Sequence, residues 1–362
     1  MGYTILAIDP GSTSTKVALY NEEQPLLELA IDHSDEELSC YDSIVDQFEW
    51  RQDLILYHLE SEGVDISQLS AVVGRGGIIK PVEGGVYQIN DALWHDTKHA
   101  RLEHASNLGA LIARAIADQL EVPAYIADPV VLDEMEPLAR ISGLPESPRQ
   151  SIFHALNTRA TARIHATSIG RKIEEINLIL VHMGGGVTVS LHSKGRVVDT
   201  FCGLGGDGTF SPERAGRLAS STLIDMCFSG EYTYKQMQRK ITGKGGFAAH
   251  LGTSSVMEVM RRVKGGDIDA KLIVDAFCYN VAKDIGALAT VVGGQIDGII
   301  LTGGVAHNNY INIEIEKRCC FIAPVYVYAG ENELQALAMN ALAVLRGQTV
   351  AKVYGEESVV AL

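Results

Sequence analysis

Two stretches of the chain, LAIDPGSTSTKVALY (residues 6–20) and ILVHMGGGVTVSLH (residues 179–192), repeat one architecture. Each is an apolar strand, a polar residue, a glycine-containing turn and a second apolar strand, with Asp9 aligned on His182. Each copy is followed by an apolar strand that ends on Gly-Gly: LSAVVGRGG (69–77) in the first half and DGIILTGGV (297–305) in the second. The paired features lie about 50 residues further apart in the second copy, which therefore carries an insertion. A repeat of this length implies two related domains rather than a solenoid. The length of 362 residues points the same way, because it exceeds what one hydrophobic core usually serves.

Strand-like and helix-like stretches alternate throughout, which is the α/β pattern. Apolar spacing predicts helices over 104–120, capped at Ser106 or Asn107, and over 151–170, closed by Gly170. A strand over 122–129 stops at Pro129, a long hairpin spans 177–199, a helix starts near Asn308 or Asn309, and a closing helix runs over 332–347.

The net charge of −15 argues against nucleic acid or an anionic membrane surface as a partner, so any anionic ligand must be held by local donors. No apolar run approaches the roughly 20 residues that cross a bilayer, and the N-terminus shows no basic and apolar leader. The six cysteines form no CxxC and no metal spacing; Cys319 and Cys320 read as buried thiols beside a strand. A soluble protein of a reducing cytoplasm is expected.

The first turn, DPGSTSTK, is longer than a hairpin needs and rich in donors. Backbone amides of such a turn can point at a phosphate, with Lys16 as a point charge; the alternative is a polar surface turn. The Walker pattern is excluded because Lys16 leads into a strand. Gly184, Gly185 and Gly186 let amides approach a ligand, or merely form a loose hairpin. Gly303 and Gly304 end a strand where a base and ribose could lie, or a structural turn. Arg75 sits between glycines, and Asp128 ends a strand where a carboxylate can hold Mg²⁺ directly or through water. His154 and His182 gain interest from this company, although single histidines are usually structural. The eleven histidines show no zinc motif.

Taken together, PGSTSTK, GRGG, HASNLGA, ADPVVLDEM, ARISG, SIFHALN, GGDGTFSPERAG and LTGGVAHN resemble, in order and over nearly the whole chain, the acetate and butyrate kinases. The likeness is greatest to the butyrate and branched-chain fatty-acid kinase group. The resemblance implies two duplicated ribonuclease H-like α/β domains of actin/sugar-kinase type, each with a βββαβαβ core, and a nucleotide cleft between them. The first would comprise residues 1–132 plus 335–362, with a closing C-terminal helix. The second, 133–334, would carry the adenosine site and the contacts of a homodimer or higher homo-oligomer. The implied reaction is direct, reversible in-line transfer of the γ-phosphoryl group of ATP to a short-chain fatty acid, giving ADP and an acyl phosphate, with Mg²⁺.

By motif match, Ser12, Ser14 and Lys16 would form the first phosphate loop, and His182 with Gly184, Gly185 and Gly186 the second. Gly303 and Gly304 would lie against adenosine. Arg75 would hold the carboxylate or the transferring group, and His154 would stabilise its equatorial oxygens. Asp128 would position Mg²⁺ or substrate, with Glu331 or Glu333 supporting the metal. Two positions depart from the family pattern. Asp9 stands where Asn is usual, its charge expected to be offset by Mg²⁺ or Lys16. The acetate kinases' arginine before a Gly-Asp pair is absent, and Arg214 is expected to substitute. The competing class is an ATP-driven activator of a radical dehydratase, which would need a cysteine pair for an iron–sulfur cluster; a sugar kinase would need an acidic base for its hydroxyl.

Overall fold

The structure is a computed structural model that describes residues 2–100 and 102–355. The chain divides into two compact units, Met1–Asp133 with Asn332–Leu362, and Glu134–Glu331.

In the first unit β1 (Thr4–Pro10), β2 (Ser14–Asn21) and β3 (Gln24–Asp32) form an antiparallel meander. The chain continues through helix α1 (Phe48–Ser61), β4 (Ala71–Arg75), β5 (Val86–Gln88), helix α2 (Asn107–Leu120) and β6 (Ala124–Ala127). β4 runs parallel to β1, and β6 parallel to β4. The sequence sets these positions. β1 is central and reads as a continuous apolar run, buried from Ile5 onward. β3 lies at the edge and alternates, with Leu27, Leu29 and Ile31 turned to the core at period two.

The second unit opens with helix α3 (Ala155–Ser168) and repeats the meander in β7 (Asn177–Met183), β8 (Val187–Ser193) and β9 (Arg196–Thr200). Helix α4 (Ile268–Val291), β10 (Gly298–Gly303), helix α5 (Asn309–Cys319) and β11 (Val325–Ala329) follow, with β10 parallel to β7 and β11 parallel to β10. The chain then rejoins the first unit as helix α6 (Glu333–Leu345), packed on β1 and β4, and β12 (Lys352–Val353), paired with β5.

The strand order β3-β2-β1-β4-β6 in one sheet is matched by β9-β8-β7-β10-β11 in the other. Both meanders carry a register shift in the same hairpin, at Leu19/Tyr20 and at Leu191/His192. Helices separate the third and fourth, and the fourth and last, strands of both series. The fold is thus a duplicated βββαβαβ core of ribonuclease H-like type. The extra length of the second copy lies between β9 and α4 and includes the helices Ser220–Phe228, Tyr234–Ile241 and Val256–Lys264. No helix among the described residues is long and apolar enough to cross a membrane.

Four local expectations change. The stretch 177–199 is not one hairpin but most of a three-stranded meander, because the chain turns back a second time at Lys194–Gly195. The helix expected from residue 151 starts only at Ala155, since His154 (φ −78°, ψ 62°) is not helical. The first hairpin's strands reach further than their apolar residues, to Pro10 and from Ser14, leaving Gly11–Thr13 as the turn. At the end of α5, Cys319 is buried but Cys320 is exposed.

Candidate functional site

In the first unit, the turn between β1 and β2 is built on the side chain of Arg51, on α1. Its Nη1 donates to the carbonyl of Gly11 (2.8 Å) and to Oγ1 of Thr15 (3.1 Å), and Nη2 reaches the carbonyl of Ser12 (3.4 Å). A planar trans peptide points its C=O and N–H in opposite directions. Drawing the carbonyls of Gly11 and Ser12 inward therefore aims the amides of Ser12 and Thr13 outward, on residues that are themselves exposed. Neither amide has a protein acceptor among the described residues. Ser14 and Lys16 follow on β2, with Lys16 exposed and directly across from Asp9.

Three charged residues of this unit, Asp9, Arg75 and Glu333, meet beside that turn. Arg75, the last residue of β4, places Nη1 3.0 Å from Asp9 Oδ1 and 2.7 Å from Glu333 Oε2. Glu333 opens α6 and is buried, as is Asp9. Arg75 thus lies between Asp9 and Glu333 and offsets part of the Asp9 charge. Asp128, just after β6, adopts a left-handed φ of +37° and exchanges two hydrogen bonds with Gly85: Oδ1 accepts from the Gly85 amide and its own amide donates to the Gly85 carbonyl, each 2.9 Å. Such a conformation in a residue other than glycine stores strain, a frequent mark of a functional position. The glycines of GRGG have a packing reason. A Cβ on Gly74 would stand 2.0 Å from the carbonyl oxygen of Gly109, so α2 can lie directly on β4 only without side chains there.

In the second unit, two imidazoles stack. The rings of His154 and His182 lie 3.7 Å apart and 7° from parallel. His154 precedes α3 and sets Nδ1 2.9 Å from Oγ1 of Thr188. His182, on β7, is buried, with Nδ1 3.1 Å from Oδ1 of Asn157 and Nε2 3.4 Å from Oε1 of Glu331. The glycine turn follows at once. The Gly184 amide donates to the Gly186 carbonyl (2.9 Å), and the Gly185 carbonyl accepts from the hydroxyl of Ser211 (2.6 Å).

Arg214 lies flat against Gly186: a Cβ there would be 2.2 Å from its Nη1, which donates to the Gly203 carbonyl at 2.8 Å. Burial pushes the Arg214 guanidinium below its ordinary range. The GGDGTFSPERAG segment therefore props this turn from behind. Gly303 ends β10 against the backbone of Met183, and Gly304 beside it has open space where a side chain would be.

Asp9, Arg75 and Glu333 thus form one cluster, and His154, His182 and Glu331 another. The two glutamates of GENEL part company, Glu333 going to Arg75 and Glu331 to His182. Sequence reasoning missed Arg51, Asn157, Thr188 and Ser211. Of these only Arg51 left a signal, since it shares the spacing of buried Ile55 and Leu59 on α1, where a charge is out of place.

No group of three His, Cys, Asp or Glu side chains among the described residues could by itself hold a metal ion. Asp128 and Glu333 in the first unit, and Glu331 in the second, carry the hard carboxylate oxygens that Mg²⁺ takes. That ion is usually bound by one or two carboxylates with water and substrate phosphates rather than by a protein cage, so the donor set fits it.

A duplicated ribonuclease H-like fold, with a Gly/Ser/Thr turn in one half and a glycine turn in the other, places the chain in the actin and sugar-kinase class of folds. A model of the acetokinase family matches residues 148–323. The chain is 49% identical over 351 residues to the "probable butyrate kinase" of Bacteroides thetaiotaomicron, covering 97% of this chain and 99% of that one. It is likewise 49% identical to butyrate kinase 2 of Clostridium acetobutylicum, over 98% of this chain and 100% of that one. In fold it is similar to the crystal structure of Porphyromonas gingivalis acetate kinase, with a TM-score of 0.79 at 17% identity, covering 95% of this chain and 100% of that one. The chain belongs to the acetokinase family and, within it, to the group of the butyrate kinases.

Proposed function

We propose that this chain is an ATP-dependent carboxylate kinase. It transfers the γ-phosphoryl group to butyrate or a branched-chain fatty acid, reversibly, giving ADP and an acyl phosphate. The observation that carries the reading is the near-complete, 49% identical match to butyrate kinase 2 of Clostridium acetobutylicum. The site chemistry supports it. A carboxylate acceptor is already a nucleophile, so the protein needs to position the reactants and to stabilise charge on the transferring group. The hydroxyl–imidazole pair in the second unit, Thr188 and His154, is no nucleophile with its base, because Thr188 is 1% exposed.

In this reading the turn holding Ser12, Ser14 and Lys16, and the turn of Gly184–Gly186 with His182, receive phosphates. Gly303 and Gly304 lie against adenosine. Arg75 binds the carboxylate or the transferring group, and His154 faces the equatorial oxygens. Arg214 acts through the second turn. When bound, Mg²⁺ neutralises charge on the phosphates, with Asp128, Glu331 and Glu333 as its candidate supports. The helix Ser220–Phe228, apolar in sequence yet with no buried residue, supports self-association through the second unit. A cytoplasmic location goes with the need for ATP. Sedimentation of the purified chain checks the assembly, and a monomer at micromolar concentration removes that part. The radical-dehydratase activator has no comparable support.

The direct test is turnover with Mg²⁺–ATP over acetate, propionate, butyrate, isobutyrate and isovalerate, trapping acyl phosphate as hydroxamate. The expected result is turnover with a four- or five-carbon acid above that with acetate. No hydroxamate from any of the five overturns the proposal.

Asp9→Asn retains activity and lowers the dependence of nucleotide binding on Mg²⁺. The carboxylate raises the electrostatic cost of bringing a bare triphosphate to the turn, and Arg75 offsets this only in part, being shared with Glu333. Titration calorimetry across a magnesium series should show metal-free ATP binding gaining about tenfold, equivalent to ~1.4 kcal/mol. An unchanged magnesium dependence places Asp9 away from the phosphates.

A further inference from the structure

Arg51 is 1% exposed, and none of its hydrogen-bond partners is a carboxylate. They are the carbonyls of Gly11, Ser12 and Ser14, the hydroxyl of Thr15, and Oε1 of Gln47, which takes Nε at 3.1 Å and Nη2 at 2.7 Å. A guanidinium taken out of water is costly unless a counter-charge answers it, and buried arginines are usually paired. Here carbonyl dipoles answer it in part, and a net positive charge remains under the turn.

We infer that Arg51 is a positioning residue of the nucleotide site. It aims the amides of Ser12 and Thr13 outward and lends the turn a positive potential that a bound polyphosphate neutralises. The inference rests on the reading of this turn as phosphate-facing. The neighbourhood is arranged to keep the charge single. His33, whose Nε2 lies 2.8 Å from the Thr15 hydroxyl, is pushed down to about 4 by burial and then by the charge of Arg51, so it stays neutral. Burial lowers Arg51 itself only to about 10, which leaves it fully charged at neutral pH. A guanidinium serving only as a scaffold would pin the carbonyls equally well with an acid beside it.

That difference supplies the test. Gln47→Glu keeps both acceptor contacts to Arg51 and adds the missing counter-charge without touching the turn. The expected result, by calorimetry, is a fall of about tenfold in affinity for ATP, unchanged affinity for adenosine, and no fall in melting temperature. Unchanged ATP affinity in the folded variant overturns the inference. Should Gln47→Glu fail to fold, Arg51→Lys and Arg51→Met replace it. The lysine variant, which keeps the charge, should hold ATP several-fold more tightly than the methionine variant, with adenosine equal in both; equal ATP affinities overturn the inference. Wild-type protein separates the two levels. If it binds ATP no better than adenosine, the turn does not face phosphate and both readings fall. If it prefers ATP and Gln47→Glu keeps the full preference, only the role of Arg51 falls.

Discussion

Arg75→Ala lowers kcat by about 10²-fold or more, a far larger loss than that in ATP affinity and the magnitude typical of removing a donor aimed at developing charge. The geometry adds a second effect. Arg75 is the cation shared by Asp9 and Glu333, whose side chains are 6% and 5% exposed. Removing it takes from two buried carboxylates the cation that both share, which lowers stability as well. Loss of activity alone would therefore not identify the role. Adding Glu333→Gln to Arg75→Ala removes one of the two buried charges and should recover part of the melting temperature but none of the turnover. Recovery of both would make Arg75 a structural cation, and unchanged turnover in Arg75→Ala would remove it from the site. Turnover is read as trapped hydroxamate and stability by thermal melting of the same preparations.

Much of the frame was legible because it repeats. Two strand–turn–strand segments of matching pattern, each followed by a strand ending on Gly-Gly, anticipated the matching sheets, and the longer spacing anticipated the insertion between β9 and α4. The turns were legible too, since runs of Gly, Ser and Thr between apolar strands have few structural uses. What the spacing could not show is how side chains distant in sequence meet. Arg75 and Glu333 are 258 positions apart, and no local pattern links them. Asn157 orients His182 from a helix 25 positions earlier, where an Asn reads as an ordinary polar residue.

Asp9 illustrates the same limit. Its carboxylate is unexpected in a turn read as facing phosphate, yet its partner Arg75 could not be found without the fold. The glycines of GRGG carried a second meaning hidden from sequence, the direct contact of α2 with β4. Arg51 is the intermediate case. Its helical spacing with Ile55 and Leu59 marks it as buried, but only the structure shows what it holds.

His154→Ala lowers kcat on the order of 10²-fold, with a melting temperature close to that of the wild type. The stability part follows from where the ring sits. His154 is partly exposed and precedes α3 without capping it, so its loss removes one stacked face and the contact with Thr188 rather than core. His182 beneath it is buried and held by Asn157 and Glu331, so His182→Ala should cost both stability and activity.

The stacking sharpens the expectation. His154 lies stacked on the buried ring of His182, 3.7 Å away, with Nδ1 2.9 Å from Oγ1 of Thr188, so its ring is held in one orientation. His154→Asn, which keeps a hydrogen-bond donor but not the stacked ring, should accordingly recover only part of the loss. A large fall in melting temperature with activity preserved would instead make His154 a packing residue for the ring below it.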